Sequence, residues 1–158
     1  SFSYIHDICA KRLAIKDGQE ENIKMIQPTE VLLRLIFAVV AGGLIGLERE
    51  IVHRPAGVRT HMLVSLGSAL FAIITVDIVP QEAARIIAGV ATGVGFLGAG
   101  TIFKAKNDVH GLTTAASIWA VAAVGLTIGL GYYVTMLIAV FLILVVLQLN
   151  KMEFFRNL

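Results

Sequence analysis

Thr113–Leu130, TTAASIWAVAAVGLTIGL, and Tyr132–Leu149, YYVTMLIAVFLILVVLQL, stand a single Gly131 apart. Each stretch holds about 18 residues, so as a helix it extends roughly 26 to 27 Å at about 1.5 Å per residue. That nearly matches the ~30 Å hydrocarbon thickness of a bilayer. Working back along the chain, Val31–Leu47, Met62–Val79 and Ile86–Phe103 repeat the pattern. One such run fits a buried helix of a soluble protein, but five in close succession do not. The expected fold class is all-α, a polytopic membrane helix bundle with five transmembrane helices.

Composition points the same way. Of 158 residues, 57% are hydrophobic and 15% charged, with a mean hydropathy of +0.83. A soluble domain carries about 25% charged residues, so the composition excludes a soluble enzyme, a disordered chain and a disulfide-stapled module. The net charge of +2 is small and no basic run offers a phosphate-binding stripe, so no nucleic-acid partner is expected. The single Cys9 excludes an internal disulfide and a cysteine-based metal site. Residues 1–30 contain no apolar segment of the kind that marks a secretory signal.

The five stretches are not equivalent. Thr, Ser, Ala and Gly fill the third and fourth, whereas the fifth is mostly Val, Leu and Ile. Small residues let helix backbones approach closely in lipid, which predicts that helices three and four lie inside the bundle and the fifth faces lipid. Gly42 and Gly46, Gly89 and Gly93, and Gly125 and Gly129 are spaced four apart, one above the other on a helix face. With Gly95, Gly98 and Gly100 they are the expected helix-packing residues, whether the partner helix is in this chain or another.

Residues 1–30 are polar, with Lys11, Arg12, Lys16, Asp17, Glu20, Glu21 and Lys24. They read either as a loose tail or as a surface amphipathic helix with Ile5, Ile8, Cys9 and Leu13 on one side. Pro28-Thr29-Glu30 is a start signal for the first span. The expected organisation is therefore a charged segment 1–30, a transmembrane domain 31–150 and a short tail 151–158. Five spans put the termini on opposite sides. One side carries Lys11, Arg12, Lys16, Lys24, Arg34 and Arg85, and the other Arg49, Arg54, Arg59, Lys104, Lys106, Lys151 and Arg156. Tail charges far from a span count less, so the second side is expected to be cytoplasmic, with the N-terminus outside.

Several groups are candidates for chemistry. Gly93-Val94-Gly95-Phe96-Leu97-Gly98 matches the dinucleotide fingerprint, but lies inside an apolar span with no preceding strand, so no nucleotide is expected. Close helix packing, or a local helix break exposing carbonyls, explains it better. Glu48 and Arg59 each abut an apolar helix end and are candidates to pair with each other, the alternative being that Glu48 faces a polar cavity, while Arg49 and Arg54 read as a solvated loop. Asp77 lies three residues before Pro80 at the far end of the second helix, at the depth of Arg34 and Arg85. It reads as a salt bridge with one of them, as a cation or proton site, or as a simply exposed carboxylate. No cofactor is expected; a hard cation such as Mg2+ is the kind of ion that a carboxylate beside Thr and carbonyl groups would suit. His53, His61 and His110 are too scattered for a zinc motif. His110–Thr114 reads as a turn with a Thr N-cap, and Trp119 as a packing aromatic. No Ser–His–Asp, Cys–His or paired-carboxylate arrangement supports an enzyme.

These residues add up to a resemblance. Gly46-Leu47-Glu48-Arg49-Glu50, Gly57-Val58-Arg59-Thr60-His61-Met62-Leu63-Val64, the glycine-rich run through Gly100, and Gly111-Leu112-Thr113-Thr114-Ala115-Ala116-Ser117-Ile118-Trp119 resemble the MgtC/SapB family of bacterial membrane proteins, over about Val31 to Leu149. The resemblance implies an inner-membrane protein with a five-helix domain, linked to growth at low magnesium and, in some members, to virulence. A chain ending at Leu158 resembles the short SapB-like branch without the soluble C-terminal domain.

Two functions from different classes are therefore expected alternatives. The first is an accessory or regulatory protein of divalent-cation homeostasis, acting through helix contacts with itself or another membrane protein in the bilayer. The second is a cation transporter or channel using Asp77 and Glu48, with the third helix lining the path.

Overall fold

The computed structural model describes residues 26–105 and 108–149. The readings of residues 1–25, including the amphipathic face around Cys9, and of the tail 151–158 lie outside the described residues. The chain forms α1 (Pro28–Ile51), α2 (Val58–Ile78), a 3-10 turn (Pro80–Glu82), α3 (Ala83–Ala99), β1 (Phe103–Ala105), β2 (Asp108–His110), α4 (Leu112–Gly129) and α5 (Tyr133–Gln148). Pro28 occupies the first turn of α1, where its missing N–H costs nothing. Among the described residues, four helical segments are long and apolar enough to cross a membrane; α5, at 16 residues, is shorter. The expected helical membrane bundle is what the chain forms.

Helices α1, α2 and α4 build the centre. Ala38, Ala41, Ile45, Ala69, Val121, Val124 and Ile128 are sealed between them, and Met136 and Val140 of α5 close one side. Glycine makes the approach this close. A Cβ on Gly42 would lie 2.5 Å from the His61 carbonyl oxygen, and one on Gly46 would lie 2.7 Å from Val58 Cα. On the other flank, Cβ atoms on Gly125 and Gly129 would come 2.2 Å from Ser65 O and 2.5 Å from Ala69 O. Both seams are thus backbone against backbone, with α2 between α1 and α4.

Two expectations about the third span need correction. It ends as a helix at Ala99, and Phe103 begins a two-stranded antiparallel hairpin that pairs Phe103 with His110 and Ala105 with Asp108. The run Phe103-Lys104-Ala105 alternates apolar and polar residues, which suits a strand emerging from the bundle rather than another helical turn. Nor does α3 lie inside: Gly98 is its one buried residue. An inward position needs partners on several sides, and α3 packs against α4 along one side, with Gly98 meeting Ala115. The fifth helix buries three of its residues, and much of it faces outward as expected. Trp119, expected to pack, is also exposed on α4.

Candidate functional site

The polar residues inside this apolar bundle collect at its two ends. At the end holding the 52–57 loop and the hairpin, the α1 seam carries Glu48 and Arg49 inward. They are 6% and 3% exposed, and Arg49 donates from both Nε and Nη2 to Glu48 Oε2. Arg49 is therefore part of a buried ion pair, a correction to its reading as solvated. Arg59 is exposed, so the expected Glu48–Arg59 pair is replaced by one between sequence neighbours. The second oxygen, Glu48 Oε1, has no partner among the described residues. A buried carboxylate half-satisfied in this way costs on the order of 1 to 3 kcal/mol per missing bond.

Beside this pair lies His61, fully buried on α2. Its Nδ1 is 2.9 Å from the Gly57 carbonyl oxygen and its Nε2 3.0 Å from Ser117 Oγ on α4. Ser117 Oγ is in turn 2.8 Å from the Thr114 carbonyl oxygen. A carbonyl only accepts, so Nδ1 carries a proton. The serine has one proton for two acceptors: it goes to Nε2 of a neutral ring, or to Thr114 O when Nε2 itself donates. Loop, α2 and α4 are tied together by this chain of bonds. Ser65, one turn along α2 from His61, is buried with no partner for its hydroxyl among the described residues.

The opposite end is built from local pairs. Arg34, 8% exposed, donates from Nη1 to the Gly129 carbonyl oxygen at 2.6 Å and from Nη2 to Glu30. A guanidinium there satisfies one of the orphan carbonyls that end α4 and complements the negative end of its dipole. Arg85 pairs with Glu82 at 2.9 Å in an exposed position. Both arginines expected as partners of Asp77 are thus held by glutamates three or four residues away. Asp77 accepts from the Ile26 N–H at 3.3 Å.

The glycine-rich fingerprint region is continuous α-helix, without the break considered from the sequence. Among the described residues, nothing lies within 4 Å of where Cβ atoms on Gly89, Gly93 or Gly95 would stand, and Gly100 would meet its own Leu97 carbonyl at 3.2 Å. Between α2 and α3 runs an apolar groove of about 600 Å³, bordered by Gly67, Phe71, Gly89, Gly93 and Leu97. Among the described residues no group of three or more His, Cys, Asp or Glu is placed to hold a metal ion.

Sequence reasoning singled out Glu48 but left His61, Ser65 and Ser117 aside. A signal for them was present. His61, Ser65, Ser68, Ala72 and Thr75 recur at helical spacing on one face of α2, and all are buried. A stripe of polar and small residues on an otherwise apolar span turns toward protein rather than lipid.

Spanning helices with a charged pair and a histidine sealed between them define a polytopic helical membrane protein. Within that class, the chain belongs to the MgtC family, whose model matches residues 35–153. It is 47% identical to YhiD of Escherichia coli (strain K12), named as a candidate magnesium transporter, with 66% of this chain and 53% of that protein covered. It is 42% identical to Protein MgtC of Salmonella typhimurium (strain LT2), covering 72% of this chain and 49% of that one. An uncharacterized protein of Haemophilus influenzae is 36% identical over 77% of this chain and 56% of its own length. The chain thus spans about half the length of these relatives. No solved structure matches it.

Proposed function

We propose that this protein is an accessory or regulatory component of magnesium homeostasis in a bacterial membrane, acting through helix contacts rather than by moving ions itself. The observation that carries this reading is the closed seam between the two carboxylates. Glu48 and Asp77 stand at opposite ends of the bundle, and between them α1, α2 and α4 meet in backbone contact, with the buried Ser65, Ser68 and Thr75 of α2 enclosed beside the seam. An ion path needs room along its length as well as oxygen ligands, and this seam has no room even for an added methyl group at Gly42, Gly46, Gly125 or Gly129. The glycine face of α3 and its groove supply a contact surface for a helix of another copy or of another membrane protein. The link to magnesium rests on family membership and on the name of one relative.

That name also favours the second reading, a divalent-cation transporter using Asp77 and Glu48. Arg49, Arg54, Arg59 and Lys104 lie at the hairpin end, against Arg34 and Arg85 at the other. The positive-inside rule therefore supports a cytoplasmic hairpin end and an outward start of α1.

Magnesium flux into proteoliposomes separates the two readings. The contact reading expects no saturable flux from folded wild-type protein. Saturable flux that Asp77→Asn or Glu48→Gln removes would replace it with transport.

A further inference from the structure

The outward side of α3 differs in kind from that of α5. α3 buries Gly98 alone, while α1, α2 and α4 each bury seven residues or more. The outer surface of α5 carries Val134, Leu137, Ile138, Phe141 and Leu142, large apolar side chains that suit lipid. On α3 the exposed residues are instead Arg85, Ala88, Gly89, Thr92 and Gly93. They recur at spacings of three and four and so form one stripe. Phe96, a turn further along it, is 86% exposed, more than any other large apolar residue described. Beside the α2–α3 groove, this stripe lets another helix approach to backbone distance.

Charge marks the same stripe. Glu82 and Arg85 stand on it at the start of α3, paired at 2.9 Å with their side chains 45% and 84% exposed. Copies inserted the same way in a bilayer are related by an axis along the membrane normal, so a symmetric contact sets α3 parallel to α3. Every residue of the stripe then meets the second copy at its own depth. Glu82 of each copy comes level with Arg85 of the other, and two local pairs merge into a ring of alternating charge. Gly89 and Gly93 lie against their equivalents, as in parallel contacts between small-residue faces of membrane helices. A helix of another protein must supply both a small-residue face and a matched acid–base pair at that depth. The chain's own α3 has both.

We propose that the α3 face binds a second copy of this chain, α3 against α3 about a two-fold axis along the membrane normal. Gly89 and Gly93 form the contact, and Glu82 and Arg85 pair across its edge. This rests on the helix-contact reading above and names the partner.

Disulfide crosslinking in native membranes, with Cys9 replaced by Ser, tests the proposal. Gly93→Cys extends into open space among the described residues, so the bundle accommodates it. The expected product is a covalent dimer of twice the chain mass. Val134→Cys, on the exposed surface of α5, should give none. Arg85→Glu in the Gly93→Cys chain sets like charges level with one another and should slow dimer formation about tenfold. Adding Glu82→Arg should restore it, because the ring re-forms with its charges exchanged. Absence of a dimer from Gly93→Cys, equal yield from Val134→Cys, or no recovery in the charge-exchanged variant overturns the proposal. Crosslinking of Gly93→Cys to a protein of another mass also overturns it, yet leaves the helix-contact reading standing. Saturable magnesium flux strikes at that reading and is measured separately, so the two failures are told apart.

Discussion

Two sets of glycines with the same four-residue spacing do opposite things in this molecule. Gly42, Gly46, Gly125 and Gly129 sit in seams where an added Cβ would collide with backbone of α2. Gly89 and Gly93 on α3 face open space, as does Gly95. Spacing tells which face of a span permits close approach. It does not tell whether the approaching helix is in the same chain. In α1 and α4 the partner is α2, and on the glycine face of α3 no described residue comes that close.

The contrast can be broken most directly at the ends of the seam. Arg49→Ala leaves Glu48 buried with neither oxygen paired, a change that costs about 3 to 5 kcal/mol when one partner of a buried pair is removed. Thermal unfolding in detergent should show the largest loss for this variant, with a clear recovery in the double variant Glu48→Gln, Arg49→Met. A single variant with unchanged stability would mean that the pair is solvated and the seam does not reach it.

Next comes the seam itself. Gly125→Ala forces a methyl group against Ser65 O and should cost about 1 to 3 kcal/mol, as overpacking does. Gly89→Ala meets nothing and should instead gain up to about 1 kcal/mol from helix propensity. Equal losses at the two positions in the same unfolding assay would erase the distinction between the regions. The smallest effect is expected at Ser117→Ala, about 1 kcal/mol for one buried hydrogen bond. That variant should weaken the tie between α2 and α4 without opening the bundle, seen as faster amide exchange at the start of α4.

Much of the architecture was legible. The five apolar runs correspond to the five helices, because helix length in a bilayer is fixed by hydrocarbon thickness. The hairpin was not, since three-residue strands carry too little periodicity to register against a helix end. The inward placement of α3 failed for a related reason. Small residues mark a face for packing, and α1, α2 and α4 had already satisfied one another. Partner choice among the charges was legible in part. Glu30–Arg34 and Glu82–Arg85 are neighbours by helical spacing alone, but depth in the membrane suggested the more distant Asp77. The His61–Ser117 bond joins two helices 56 residues apart in sequence. No local pattern encodes that pairing, although the polar stripe on α2 pointed to the face that makes it.

The central claim is that the glycine face of α3 receives another helix in the membrane. It is tested most directly by photo-crosslinking from a benzophenone placed on a cysteine at Gly93, with Cys9 replaced by Ser, in native membranes. Val134 on the exposed surface of α5 serves as the control position. Adducts of defined mass from Gly93, well above those from Val134, are the predicted result. Equal or weaker crosslinking from Gly93 would mean that lipid alone covers α3, and would contradict the claim.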